Sequence, residues 1–225
     1  MIAGQVNIPS RGRDSMPKRL ATIAAVTATA AILCHAATLI KLSDAELVSH
    51  GDHILLGTVT RVSTSWEDPD GDGKSQIYTT IEVRVEQSLK GGDRPGETVT
   101  FRQLGGRIGN MATNIPGLPK FSEGDSTLLF LEGSLTNPHY SPIPGLAQGR
   151  WLVRTENDGS RFARRDFSDS TFVRLDENQP VEDVKPSEAE EVLADVIARF
   201  QKEIDKQAAE KKFNGSRQGQ EDSKK

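Results

Sequence analysis

Two long runs of strand-forming residues, His53–Trp66 (HILLGTVTRVSTSW) and Ile77–Leu89 (IYTTIEVRVEQSL), lie on either side of a short stretch of turn formers. In the second run Ile81, Val83 and Val85 fall on one face and Glu82, Arg84 and Glu86 on the other, the period-two pattern of a half-buried strand. The first run is rich in Ile, Leu, Val and Thr and alternates in part, with Gly57 at a bend or bulge. Together they predict an antiparallel hairpin, and they constrain the fold more than any other feature of the chain.

The neighbouring segments extend this pattern. Ser43-Asp44-Ala45-Glu46 is a capping box ahead of Leu47 and Val48, which predicts a short helix from Asp44 to Ser49. After a turn at Lys90–Gly96, Glu97–Leu104 reads as a third strand. Gly105–Gly124 holds five glycines and two prolines with little periodicity, and predicts a long surface loop. Thr127–Leu131 (TLLFL) is a nearly continuous apolar run, the mark of a buried central strand. Gln148–Thr155 and Arg161–Phe167, around Glu156-Asn157-Asp158-Gly159, predict a last hairpin.

Residues 171–186 read as linker. A second capping box, Ser187-Glu188-Ala189-Glu190, then precedes Val192, Leu193, Val196, Ile197, Phe200 and Ile204 at helical spacing, so 187–208 predicts an amphipathic helix. Residues 209–225 are polar and predict a disordered tail. The expected class is mainly β: a small OB-like barrel of about five to seven strands over residues 37–170, with a short N-terminal and a C-terminal amphipathic helix. A sandwich fits the same pattern.

At the N-terminus Lys18-Arg19 precede Leu20–Leu33, which carries no charge, and then Cys34-His35-Ala36-Ala37. Basic, short apolar and small-residue segments in that order read as an export signal over 1–36, cleaved after Ala36. The apolar run is about fourteen residues against the roughly 20 of a membrane-spanning helix, which favours a removed signal over an anchor. Lipidation at Cys34 is a third reading, fitted poorly by Ala31-Ile32-Leu33, and translation starting at Met16 would give a more ordinary signal than Met1.

Cleavage leaves 24 of the 28 basic and 31 of the 32 acidic residues, a product of about −7, with no membrane span and no cysteine. An acidic chain without a basic stripe argues against nucleic acid. A thiol-free chain has no disulfide, thiolate zinc site or cysteine nucleophile. The expected location is periplasmic or secreted.

Several short pieces recur in order: Gly57-Thr58-Val59, Tyr78-Thr79, Val83-Arg84-Val85, Leu89-Lys90-Gly91, Gly96, Val99, Gly105-Gly106, Pro116-Gly117, Phe121-Ser122-Glu123-Gly124-Asp125, Leu129-Phe130-Leu131 and Gln148-Gly149-Arg150-Trp151. This succession resembles a family of exported bacterial domains, some of which accompany matrixin-type zinc metalloproteases. Their fold looks like the OB-type barrel of netrin-like and metalloproteinase-inhibitor domains. The resemblance spans roughly Ser43 to Phe167 and implies an extracytoplasmic protein partner such as a metalloprotease. Inhibitors of the tissue type present an N-terminal cysteine to zinc; the mature chain has none, so that mechanism does not carry over.

Asp68-Pro69-Asp70-Gly71-Asp72-Gly73-Lys74 matches the first half of an EF-hand loop, with Asp68, Asp70 and Asp72 as hard oxygen ligands for calcium. The closing glutamate is replaced by Thr79, and the opposing reading is a solvated hairpin tip. His50-Gly51-Asp52-His53 crosses a helix-to-strand turn and reads as turn residues rather than zinc ligands. His139 stands apart in a loop without a visible partner. Trp66 and Trp151 read as core or barrel-lip residues. Within the glycine-rich loop Ile108, Met111, Ile115 and Leu118 are the candidate partner contacts, the alternative being that they fold back to plug the barrel end.

No catalytic constellation is visible. The expectation is therefore an exported, non-enzymatic binding domain without a cofactor, associated with a peptidase. A hydrolase or metal-dependent peptidase accessory is one alternative, and a calcium-stabilised envelope protein another.

Overall fold

The computed structural model describes residues 37–69, 71–136, 141–168, 170–176, 179–182 and 185–222. Residues 1–36, for which an export signal is expected, and Asp70 and His139 lie outside them. The described chain is mainly β, with a short N-terminal helix and a long C-terminal one.

In chain order the elements are β1 (Ala37–Ile40), α1 (Asp44–His50), β2 (His53–Glu67), β3 (Gln76–Lys90), β4 (Thr98–Leu104), β5 (Gly106–Ile108), β6 (Met111–Thr113) and β7 (Ser126–Leu131). A 3-10 turn (Leu146–Gly149) leads into β8 (Arg150–Thr155), followed by β9 (Arg161–Arg164), β10 (Ser170–Asp176), β11 (Gln179–Glu182), β12 (Glu191–Val192) and α2 (Leu193–Asp222). A seven-stranded sheet runs β12-β9-β8-β7-β2-β3-β4, beside a three-stranded sheet β1-β10-β11 and the ribbon β5-β6.

The β2–β3 hairpin forms as its alternation predicts. Register shifts at Leu56/Gly57 and Val59/Arg61 bend it, and Gly57 is needed there because a Cβ would stand 2.5 Å from the Arg84 carbonyl oxygen. Helix α1 carries the complete capping box: Ser43 Oγ accepts from Glu46 N at 3.2 Å, and Ser43 N donates to Glu46 Oε2 at 2.7 Å.

Both faces of the sheet are covered, which accounts for the unbroken apolar run in β7. Leu128 and Phe130 join Ile54, Leu56 and Trp151 under the helices, where Leu193, Val196 and Phe200 of α2 complete the cluster. Leu129 and Leu131 face the other way, with Leu55, Val59, Ile81, Val83 and Phe101. On the helix side Phe200 stacks edge-on against Phe130 (4.8 Å) and Trp151 (5.1 Å).

The sheet is not closed into a barrel, and several segments depart from expectation. The ladder is open: β4 and β12 are its edges, with no strand pairing between them among the described residues. Among the described residues one backbone hydrogen bond, Arg102 N to Leu135 O at 2.8 Å, links β4 to the chain beyond β7. The linker 171–186 contains β10 and β11; β10 pairs in parallel with β1, Ala37 opposite Ser170, a partner too remote in sequence for a local pattern to reveal. The loop 105–124 contains the β5–β6 ribbon.

Helix α2 starts at Leu193 rather than Ser187, because the capping-box side chains serve other elements. Glu188 accepts from Phe167 N, Glu190 pairs with Arg154, and Glu191 and Val192 pair with β9. The helix also continues to Asp222, through the segment for which disorder was expected. Val192, at a predicted apolar position, is exposed, whereas Leu193, Val196 and Phe200 are buried.

Candidate functional site

Residues 117–121 form a strap between β4 and β8 that is held by side chains rather than by a ladder. Gln103 Nε2 donates to Pro119 O at 3.0 Å from one side. Arg150 Nη1 donates to Lys120 O from the other, and Ala147 N donates to Gly117 O at 3.0 Å. Gly117 has φ +79°, and a Cβ there would meet Ala37 Cβ at 2.9 Å, so the strap lies tight against β1.

Two clefts share Leu118, Pro119 and Lys120 as a wall. The larger, about 590 Å³, is walled by Val62, Thr79, Gln103, Ile115 and Phe121 together with the β5–β6 ribbon. The ribbon folds back over the β2–β3 hairpin: Thr79 Oγ1 donates to Gly105 O (2.7 Å) and Thr64 Oγ1 to Arg107 O (2.9 Å). Gly106, at φ +134°, sits so close that a Cβ would lie 2.5 Å from Thr79 Oγ1. Gln103 Oε1 is buried there without a hydrogen-bond partner; the bond from Nε2 to a carbonyl fixes which end of the amide is the oxygen.

The smaller cleft, about 270 Å³, is walled by Asp125, Ala147, Arg150, Leu152, Asp166 and Ser168. Arg150 is buried; its Nη2 donates to Asp125 Oδ2 at 2.7 Å, and its Cζ lies 4.0 Å from the Phe121 ring centre. Burial pushes the Arg150 guanidinium below its ordinary pKa, opposed by the hydrogen bond and charge of Asp125 and the charge of Asp166. The Ser168 backbone and hydroxyl hold the Asp166 carboxyl below the usual carboxylate range, against a raising effect of burial, and the Arg164 and Lys185 charges add to the lowering.

Gln148 organises the same end of the molecule. It is fully buried; Oε1 accepts from Leu42 N (2.8 Å), and Nε2 donates to Ile40 O (2.9 Å). One side chain thus supplies the donor and acceptor that a neighbouring strand would, and ties β1 and the start of α1 to the 3-10 turn.

The four predicted contact residues do not act alike. Met111 is 60% exposed on the ribbon and Leu118 is 7% exposed within the strap, while Ile108 and Ile115 are half-buried. Leu118 is therefore a packing residue, as in the plug reading, and Met111 an available contact. Trp66 is exposed near the hairpin tip and Trp151 lies in the core.

At the tip the carboxylates turn inward. Asp68 Oδ1 and Oδ2 accept from Asp72 N (3.1 Å) and Gly73 N (2.9 Å), and Asp72 Oδ2 pairs with Lys74 Nζ at 2.9 Å. Among the described residues no group of three His, Cys, Asp or Glu is placed to hold a metal; Asp70 is not one of them. His50 and His53 diverge: His50 meets Glu132 (3.1 Å), His53 meets Asp93 (2.9 Å), and Asp52 Oδ2 accepts from Gly133 N.

Sequence reasoning missed Gln103, Arg150 and Asp125 as site residues. Gln103 carried a signal, since β4 alternates Val99, Phe101, Gln103 on its buried face and so sets an amide where an apolar residue belongs. No described helix is long and apolar enough to cross a membrane. No protein-family model, curated protein or solved structure matches the chain.

Proposed function

We propose that this chain is an exported, non-enzymatic binding domain whose partner is an extracytoplasmic protein, with its contact surface at the β5–β6 ribbon and the larger strap cleft. The observation that carries the reading is that cleft: about 590 Å³ in volume, set against the β2–β3 hairpin, with Val62, Leu104, Ile115, Leu118 and Phe121 among its walls and an unsatisfied buried acceptor at Gln103. A few polar groups within an apolar recess are the usual make-up of a binding site. Met111 extends the surface outward.

An OB-like, half-closed barrel belongs to the same proposal. In its favour, the apolar cluster of Leu55, Ile81, Phe101 and Leu129 draws on β2, β3, β4 and β7 alike, and the Arg102–Leu135 bond bridges the gap between β4 and the chain after β7. The ordered residues quoted for the family resemblance favour a peptidase as the partner. Export rests on the Lys18–Ala37 pattern, and the mature product then begins at Ala37, the first residue of β1.

A photo-reactive residue at Met111, compared with one at the exposed Arg61 on β2, tests the reading in the producing cell. We expect position 111 to capture one extracytoplasmic protein and position 61 none. Equal labelling from both positions, or capture of the chain itself alone, would sink it. The captured product also reports its own N-terminus, expected at Ala37.

A further inference from the structure

Arg150 is a buried cation that the binding surface just described leaves unused. Its side chain is 6% exposed, and two of its three nitrogens are engaged, Nη2 by Asp125 and Nη1 by the Lys120 carbonyl. Its Nε has no partner. Arg102 and Arg161 also carry a buried Nε without a hydrogen-bond partner, but their side chains are 22% and 32% exposed, and the Nε of Arg199 faces Asp44 Oδ2 at 2.9 Å. Arg150 is far more enclosed than these and lines the smaller cleft, and an unsatisfied donor on a buried guanidinium is costly.

The charges around it are unevenly committed. Asp125 Oδ2 is taken by Ser122 N (2.9 Å) and Arg150, and Asp166 Oδ1 by Ser168 N (3.1 Å), with Arg164 and Lys185 offsetting its charge. Each acid is thus engaged within the fold at one of its oxygens. Lys120, exposed at the lip, forms no ion pair among the described residues. The donors left uncommitted are the Arg150 Nε–H and the Lys120 ammonium, beside Asp125 and Asp166 and with Leu118, Ala147 and Leu152 as the apolar lining.

We propose that the cleft of about 270 Å³ beside the strap is a carboxylate-binding pocket, in which Arg150 and Lys120 receive the anion and the apolar floor holds a short carbon body. A planar guanidinium matches a carboxylate in shape as well as charge. The volume falls just under the roughly 300 Å³ at which pockets for whole drug-sized ligands begin, which suits a short organic acid or the last residue of a peptide. The pocket goes beyond the partner surface proposed above and does not depend on it.

The test follows the Arg150 Nε–H resonance of the whole mature chain by NMR, assigned by its loss in Arg150→Lys, which keeps the charge inside the fold. The probes are butyrate, the tripeptide Ala-Ala-Leu and the same tripeptide amidated at its C-terminus, with sodium chloride at matched ionic strength. We expect a saturable shift with at least one carboxylate, and affinity about tenfold or more weaker for the amide than for the acid. Lys120→Gln should weaken binding about two- to fivefold, as befits an exposed cation, without altering the melting temperature. Tighter binding of the tripeptide than of butyrate identifies a chain terminus as the ligand, and comparable binding identifies a small acid.

A resonance unmoved by every carboxylate, moved equally by acid and amide, or moved as far by chloride would overturn the pocket and leave Arg150 a purely structural ion pair. Any of these results leaves the cross-linking at Met111 standing on its own.

Discussion

The helix-covered face of the sheet and the strap end of the molecule are held together by different means. Under α2 the contacts are apolar and interdigitated: Phe200, Phe130 and Trp151 meet edge to face, with Leu47, Val48, Leu193 and Val196 around them. At the strap end the connections are single hydrogen bonds made by buried polar side chains: Gln103 donates to Pro119, Arg150 to Lys120 and Asp125, and Gln148 donates to Ile40 and accepts from Leu42. Apolar packing is non-directional and tolerant of small shifts. A buried polar contact is directional, and losing one partner strands the other. The first arrangement supplies bulk stability, and the second fixes the position of one irregular segment.

That contrast is open to experiment. Phe200→Ala removes the central ring of the aromatic trio from a fully buried site and should cost about 3–5 kcal/mol, read from urea unfolding. A loss below about 1 kcal/mol, the range of a surface substitution, would mean that α2 is an appendage rather than part of the core.

Gln148→Ala leaves Leu42 N and Ile40 O without their partner and should cost about 2 kcal/mol or more, with the loss of amide-exchange protection concentrated in β1 and β10. Even loss of protection across the sheet would erase the distinction between a bulk core and a local latch.

The smallest effect is expected at the hairpin tip, where Asp68 and Asp72 already satisfy the loop's own amides and Lys74. Chelation with EGTA, or addition of millimolar calcium, should leave the melting temperature unchanged. A rise with calcium that saturates would restore Asp68, Asp70 and Asp72 as ligands.

The same contrast explains what could be read from the residues alone. The β2–β3 hairpin, the capped helix α1, the run Thr127–Leu131 and the spacing of Leu193, Val196 and Phe200 on α2 each announce themselves through a local period that matches their burial. The strand β10 does not, because its partner β1 belongs to the other end of the chain. The second capping box misled for a related reason: Glu188 and Glu190 satisfy Phe167 N and Arg154, contacts made across the fold rather than along it.

Ile108, Met111, Ile115 and Leu118 were legible as a group but not singly, since composition does not say which side of an irregular segment meets the protein. Arg150 stood in view within Gln148-Gly149-Arg150-Trp151, yet nothing local marks it as buried.

The Gln148 latch has a consequence for how the chain acquires its fold. Leu42 and the glutamine that holds it are 106 residues apart, and β1 then waits further still, for β10, before its own ladder can close. During synthesis, therefore, the first strand of the domain emerges long before either of its anchors. It must remain unpaired while β2, β3 and β4 assemble from near neighbours, so its docking comes late, with β11, β12 and α2 still to follow.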